Sequence, residues 1–332
     1  MTKSDTFCNR AEAYEAHDDL PLSPLEGESI GDVIFKRYSR REILRGSLGV
    51  AAAASLFGPT LLATHSVKAQ AAEQAGGFDE VKAGIDDTHH VAEGYRAEVL
   101  LRWGDPLFND APRFDPRKQS AEAQLKQFGY NNDYIAFVPL DASGMRALLC
   151  INHEYTNEEV MFPGLKRQDL CCFEDMTAEL VGIEMAAHGV SIVEIAREGS
   201  SWRPVLDSRY NRRISPLNTR MSVDGPAAGD ARLKTSGDTL NNCAGGRTPW
   251  GTYLTAEENF HGYFWTDQRD AENKPIKGIG ATQTRSYDRY GVPGLWQGWG
   301  RFHDRFNVDK EANEPNRFGW IVEIDPLDPN SM

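Results

Sequence analysis

The chain has 332 residues, 26% charged and 40% hydrophobic, enough apolar material for a sizeable core in one or two domains. A formal net charge of -13 argues against broad nucleic-acid binding, which needs a basic surface to neutralise phosphates, and suits a protein that holds hard cations. The cysteines (Cys8, Cys150, Cys171, Cys172 and Cys243) form an odd and sparse set that argues against a disulfide scaffold.

The residues before Ser39, including DDLPLSPLEGESIGD, offer too few apolar side chains for a core and read as an extended n-region. From Ser39 to Ala69 the chain runs SRREILRGSLGVAAAASLFGPTLLATHSVKA. Arg40 and Arg41 precede Ile43, Leu44 and Arg45, a mildly apolar Ala, Leu and Gly stretch follows, and small residues suit cleavage near Ala69 or Ala71. This order resembles a bacterial twin-arginine export signal. A membrane anchor is disfavoured because the stretch is weakly hydrophobic and Pro59 interrupts it. The expected organisation is therefore an n-region and signal over 1–70 and a mature domain over 71–332. The protein is expected in the periplasm or secreted, delivered by the twin-arginine translocation machinery, with no stable membrane anchor. Such substrates cross folded, so a metal can be loaded before export.

After the linker AQAAEQAGGFDE, short strand-like runs alternate with polar, Gly-rich or Pro-rich turns: DYIAFVPL, MRALLCINHEY, GVSIVEIAR, WGTYLTAEENF and FGWIVEIDP. No strict repeat is present, yet four of the runs share a form, an apolar or β-branched stretch ending at acidic or amide residues. Helical patches are expected at PRKQSAEAQLKQFGY and EDMTAELVGIEMAAHG, the second stopping at Gly189. Nucleotide-binding glycine motifs and βαβ alternation are missing, which disfavours an α/β fold. The expected fold is mainly β, propeller-like, with inserted helices, an arrangement in which strand ends converge on one face.

Candidate ligands lie at those strand ends. In INHEYTN, Asn152 and Glu154 point to one face of an extended chain and His153 to the other, and an amide and a carboxylate oxygen suit Ca2+. Only one of Glu257 and Glu258 in LTAEEN can share a face with a given neighbour. Glu323 sits among Ile321, Val322 and Ile324, where a buried carboxylate must be paired or metal-bound, unless the strand is half exposed. Cys243, in TLNNCAGGR, which reads as a Gly-rich turn, offers a thiolate suited to iron or zinc, and no C-x-x-C or H-E-x-x-H motif supports zinc. His188 suits a catalytic group, a ligand or a helix-end histidine donating to backbone carbonyls, and the last is the favoured reading. Arg247 suits either a structural salt bridge or a phosphate oxygen.

Together SRREILRG, INHEYTN, AHGVSIVEI, TLNNCAGGRTPWGTYLTAEEN and FGWIVEIDP resemble, in order and style, the PhoX-type bacterial alkaline phosphatases. The resemblance runs from the signal to the last residue, and the block around Cys243 is its most specific part. It implies a propeller-like phosphomonoesterase acting on phosphate monoesters, a monomer, with ferric iron (Fe3+) and calcium (Ca2+) joined through a bridging oxygen that serves as nucleophile. Cys243 is then the iron-ligating thiolate, Glu258 and Glu323 are cluster carboxylates, Glu154 is a further ligand, and Asn152 is a less certain one. One departure is serious: the chain stops at VEIDPLDPNSM where family members continue, so a truncated portion is expected, with the substrate arginine beyond Met332. The rival readings are a calcium-dependent propeller hydrolase of the phytase or lactonase kind, which needs no cysteine, and a non-catalytic exported propeller that binds a partner.

Overall fold

The computed structural model describes residues 81–330 apart from 83, 172, 234–237, 273–275 and 277–283, so the n-region and export signal expected over 1–70 lie outside the described residues. The chain divides into two compact units, Met1–Arg96 and Ala97–Met332. In the first, the described residues include a bend in which Asp86 accepts from the Thr88 N–H at 3.0 Å. The second holds both sheets and every candidate ligand.

Among the described residues that unit is mainly β, with two antiparallel sheets. Strands β1 (Asn132–Pro139), β2 (Arg146–His153), β3 (Gly189–Glu198) and β4 (Ser201–Pro204) lie side by side in chain order. Strand β5 (Arg212–Ile214) shares the far edge of β3 with β4, pairing at Val190–Ile192 while β4 pairs from Ile195 onward. The second sheet runs β6 (Asn242–Arg247), β7 (Tyr253–Glu257) and β8 (Ile321–Ile324). All five runs expected as strands are strands. Three further strands, β4, β5 and β6, are not among the expected runs, and β6 is the Gly-rich stretch around Cys243 that reads as a turn.

Side-chain parity positions the sheets. On β2, Leu148 and Cys150 share a face with Ala136, Val138, Val190 and Ile192, and this face packs against Tyr253 and Ile324 of the second sheet. The opposite parity, Ile151 and Val193, packs on Leu107 and Phe128. A separate aromatic core gathers Tyr263, Phe264, Trp299, Phe306 and Phe318.

Helices are few. The first, α1 (Ala121–Gln124), is capped by the Ser120 hydroxyl, which accepts from the Ala123 N–H at 3.1 Å. It stops well short of the expected patch because Lys126 and Phe128 turn to exchange backbone hydrogen bonds with Leu107 and Asp105. Helix α2 (Glu158–Met161) is a single turn, and α4 (Thr284–Tyr290) lies near the far end of the chain. The longest, α3 (Ala178–Ala187), starts at a Thr177 cap and buries every residue from Val181 to Ala187, so its hydrophobic periodicity is weak in the sequence. It ends where expected: Gly189 takes φ +91°, and a β-carbon there would strike the Ile214 carbonyl.

Candidate metal centre

Two hairpins, β1–β2 and β6–β7, share one detailed construction. Asn131 and Asn241 both adopt left-handed backbone, with φ of 46° and 48°. The next residues pair across the hairpin, Asn132 with His153 and Asn242 with Glu257, and regular pairing then resumes at Ile135 with Ile151 and at Gly245 with Thr255. Each first strand thus carries one extra residue, a β-bulge that re-aims the side chain within it. The re-aimed residues are Asp133 and Cys243. Each second strand then delivers a glutamate just past its end: the Glu154 N–H donates to Asn131 O at 3.0 Å, and the Glu258 N–H to Asn241 O at 2.9 Å.

The four side chains converge. Ligand atoms of Asp133, Glu154 and Cys243 lie within 4.8 Å of one another, Asp133 exposed and the other two half-buried. Burial pushes the Cys243 thiol up, and hydrogen bonds to the Asp133 and Glu258 carboxylates, then the charge of Glu154, push it further. Carboxylates gathered around a thiol raise its pKa and repel one another. A bound cation reverses both effects, because it deprotonates the thiol outright and neutralises the carboxylates. One soft and several hard donors fit a transition metal beside calcium.

Of the residues singled out from sequence, Cys243, Glu154 and Glu258 are brought together, and Asp133 joins them unforeseen. The signal for Asp133 was present: Asn-Asn-Asp at 131–133 matches Asn-Asn-Cys at 241–243. Asn152 is close but differently engaged. Its parity turns it toward the second sheet, where it is fully buried. Its amide donates to Cys243 O at 2.6 Å and to Ala244 O at 3.2 Å, while its Oδ1 accepts from Tyr253 Oη at 2.6 Å and Thr255 Oγ1 at 2.8 Å. Both ends of the side chain are spent on protein, which corrects the expectation of a metal ligand.

Glu323 is also corrected. Its neighbour Ile324 pairs with Tyr253 and faces the first sheet, so Glu323 faces away. It is exposed and accepts from Trp250 Nε1 at 2.8 Å and from the Thr252 hydroxyl, at the end of β7 remote from Glu258. These bonds, Thr252 first, hold its carboxyl below the usual range. Glu257 turns from the centre as well, accepting at Oε2 from the Gly319 and Trp320 N–H groups at 2.8 and 3.1 Å. Burial pushes it up to about 8 against those donors.

The support beneath the centre is polar and buried. His188 ends α3 with Nδ1 at 2.7 Å from Glu184 O and Nε2 at 2.9 Å from Tyr263 Oη. The same hydroxyl accepts from Asn241 Nδ2 at 2.8 Å, so the helix end is tied to the residue that precedes β6. Arg247 is exposed and donates to Phe137 O at 3.2 Å, across to β1.

The family model for alkaline phosphatase PhoX matches residues 76–332. The chain belongs to the PhoX alkaline phosphatase family. Among solved structures, "Pseudomonas fluorescens PhoX in complex with vanadate, a transition state analogue" is 39% identical and superposes with a TM-score of 0.67, covering 77% of this chain and 43% of that one. The chain therefore spans less than half the length of that PhoX. No curated protein matches it. Family and fold agree with the mainly β, propeller-like reading, and the block around Cys243 holds two of the four converging donors, Cys243 and Glu258.

Proposed function

We propose that the protein is an exported, metal-dependent alkaline phosphatase that hydrolyses phosphate monoesters, and that these residues carry part of its metal centre. One observation carries the reading: Asp133, Glu154 and Glu258 converge on Cys243 in a chain that belongs to the PhoX family. The vanadate bound by the Pseudomonas fluorescens relative is a mimic of phosphoryl transfer. Cys243 selects a thiophilic ion, read here as Fe3+, and the carboxylates hold Fe3+ and Ca2+. When bound, such cations neutralise the phosphoryl group, orient it and stabilise charge on the attacking and leaving oxygens.

The chain's own side chains prepare that site. Cys243 acts as a ligand and not as a nucleophile, because its thiol sits among the Asp133, Glu154 and Glu258 carboxylates, where burial and those groups disfavour a free thiolate and a bound cation would take it up. The bulges aim Asp133 and Cys243, and the backbone bonds to Asn131 and Asn241 set Glu154 and Glu258 at the strand ends. Export is supported by the twin-arginine pattern from Ser39 to Ala69, which implies a periplasmic or secreted enzyme with no stable anchor. Among the described residues, no helix is long and apolar enough to cross a membrane.

The test uses the full-length protein recovered from the exporting cell: elemental analysis for iron and calcium, and phosphomonoester turnover before and after chelation. Iron with calcium, and turnover that chelation abolishes, is the expected result. A Cys243→Ala variant that kept its iron and its turnover would overturn the assignment of Cys243 as the iron ligand, and calcium without iron in the wild type would leave an oxygen-ligand calcium hydrolase in its place.

A further inference from the structure

The two hairpins deliver their ligands from equivalent positions, and one of the positions at which they differ bears on the centre. Counting back from the ligand glutamates, Glu154 and Glu258, the residue two places earlier is Asn152 in the first hairpin and Ala256 in the second. The hairpin therefore forms its bulge and presents its glutamate without an asparagine there. Asn152 serves something outside its own hairpin.

Its contacts say what. The side chain is fully buried between the sheets and makes four hydrogen bonds, all to the second hairpin: two donated to the carbonyls of Cys243 and Ala244, inside the bulge, and two accepted from Tyr253 and Thr255 on β7. A bulge leaves its extra residue without a ladder partner, so the carbonyls of Cys243 and Ala244 need donors from elsewhere. Neighbouring glycines Gly245 and Gly246 leave the segment little stiffness of its own. Tyr253 and Thr255 orient the amide so that its NH2 group, and not its oxygen, meets the bulge.

We infer that Asn152 is a positioning residue for Cys243, locking the bulge of one hairpin from the strand of the other so that the thiol points at the carboxylates. This rests on the reading of Cys243 as a metal ligand, but the geometry it invokes is that of the protein alone. An outer residue of this kind typically sets metal affinity by about 10–100-fold.

The isosteric variant Asn152→Asp separates the possibilities, with Asn152→Ala beside it. Asp keeps the size and the acceptor but removes both amide donors; were residue 152 a cation ligand, a carboxylate would hold the ion at least as well. Two quantities are read in the full-length protein: the rate at which the holoenzyme releases iron to a chelator, and, after stripping, alkylation of Cys243 relative to Cys150, followed by mass spectrometry. Cys150 lies on β2 two residues before Asn152 and is buried, so it reports general loosening of the fold. Both variants are expected to release iron about 10–100-fold faster and to alkylate Cys243 several-fold faster with Cys150 still protected. Tyr253→Phe, which frees one side of the amide, is expected to shift both in the same direction by less. Wild-type iron retention in Asn152→Asp, or Cys150 reacting in step with Cys243, would overturn the inference. Iron kept by Cys243→Ala would instead overturn the metal reading, and the alkylation ratio alone would then decide the inference.

Discussion

Asp133 and Cys243 occupy the same place in two copies of one bulged hairpin, each two residues after a left-handed asparagine and each facing a glutamate held by that asparagine's carbonyl. The proposed centre is thus built by apposing two loops of the same backbone construction, one carrying a hard donor and one a soft donor.

That equivalence predicts the outcome of exchanging donors. Cys243→Asp makes the second loop a copy of the first, so the fold and the hard cation are expected to persist while iron falls to a small fraction of the wild-type content. Cys243→Ala is expected to lose iron equally and to hold calcium more weakly than Cys243→Asp. Elemental analysis of both variants checks this; equal calcium in the two would show that residue 243 contributes no site for a hard cation.

Glu323 is expected to be dispensable for the metal. Glu323→Gln should retain wild-type iron and calcium, since the carboxylate serves Trp250 and Thr252 at the far end of β7. Its folded pKa lies below the ordinary 4.5, so its bonds are fully formed above that value and are lost as pH falls through the lower folded one. Trp250 fluorescence should therefore change on acidification below pH 4.5 in the wild type and not in the variant.

Arg305 holds a buried acidic pair. It donates to both oxygens of Asp238 at 2.6 and 2.7 Å and to Glu314 at 2.8 Å, and both carboxylates are largely buried. Arg305→Met leaves them uncompensated apart from the Arg317 contact to Glu314, and is expected to cost about 3–5 kcal/mol at neutral pH. Burial already raises Asp238 above 3.8 while Arg305 opposes the shift, so losing Arg305 raises it further. A raised folded pKa contributes stability below the unfolded pKa that is lost as pH rises through the folded one. The variant's deficit, measured by urea unfolding, should accordingly shrink between pH 7 and pH 4; a deficit independent of pH would mean that lost packing, not charge, dominates.

Gly189→Ala is expected to destabilise the fold by about 2–4 kcal/mol, combining left-handed strain with a steric strike on Ile214 O. Gly144, equally left-handed at φ +63° but with open space around it, is the control: Gly144→Ala should cost about 1 kcal/mol from strain alone. Matching losses at the two positions would remove the steric part of the argument.

Much of this was written in the residues. The apolar runs of β1, β2, β3, β7 and β8 announce themselves by β-branched and aromatic content, α3 by its Thr177 cap and Gly189 stop, and Glu154, Glu258 and Cys243 by their places at strand ends and in the PhoX block. What sequence hid is where each side chain faces. β6 reads as a turn because Gly245 and Gly246 have weak strand propensity, and pairing with β7 overrides it. Strand parity says that Asn152 and His153 oppose each other, but only the packing of one sheet on the other decides that Asn152 meets Cys243 O. Pairing with β7 likewise turns Glu323 outward. Local propensity is a property of neighbours along the chain, and it determined most of the elements. The centre is made by neighbours about a hundred residues apart, brought together by burial of the faces between two sheets, and only the tertiary structure could decide which donors meet.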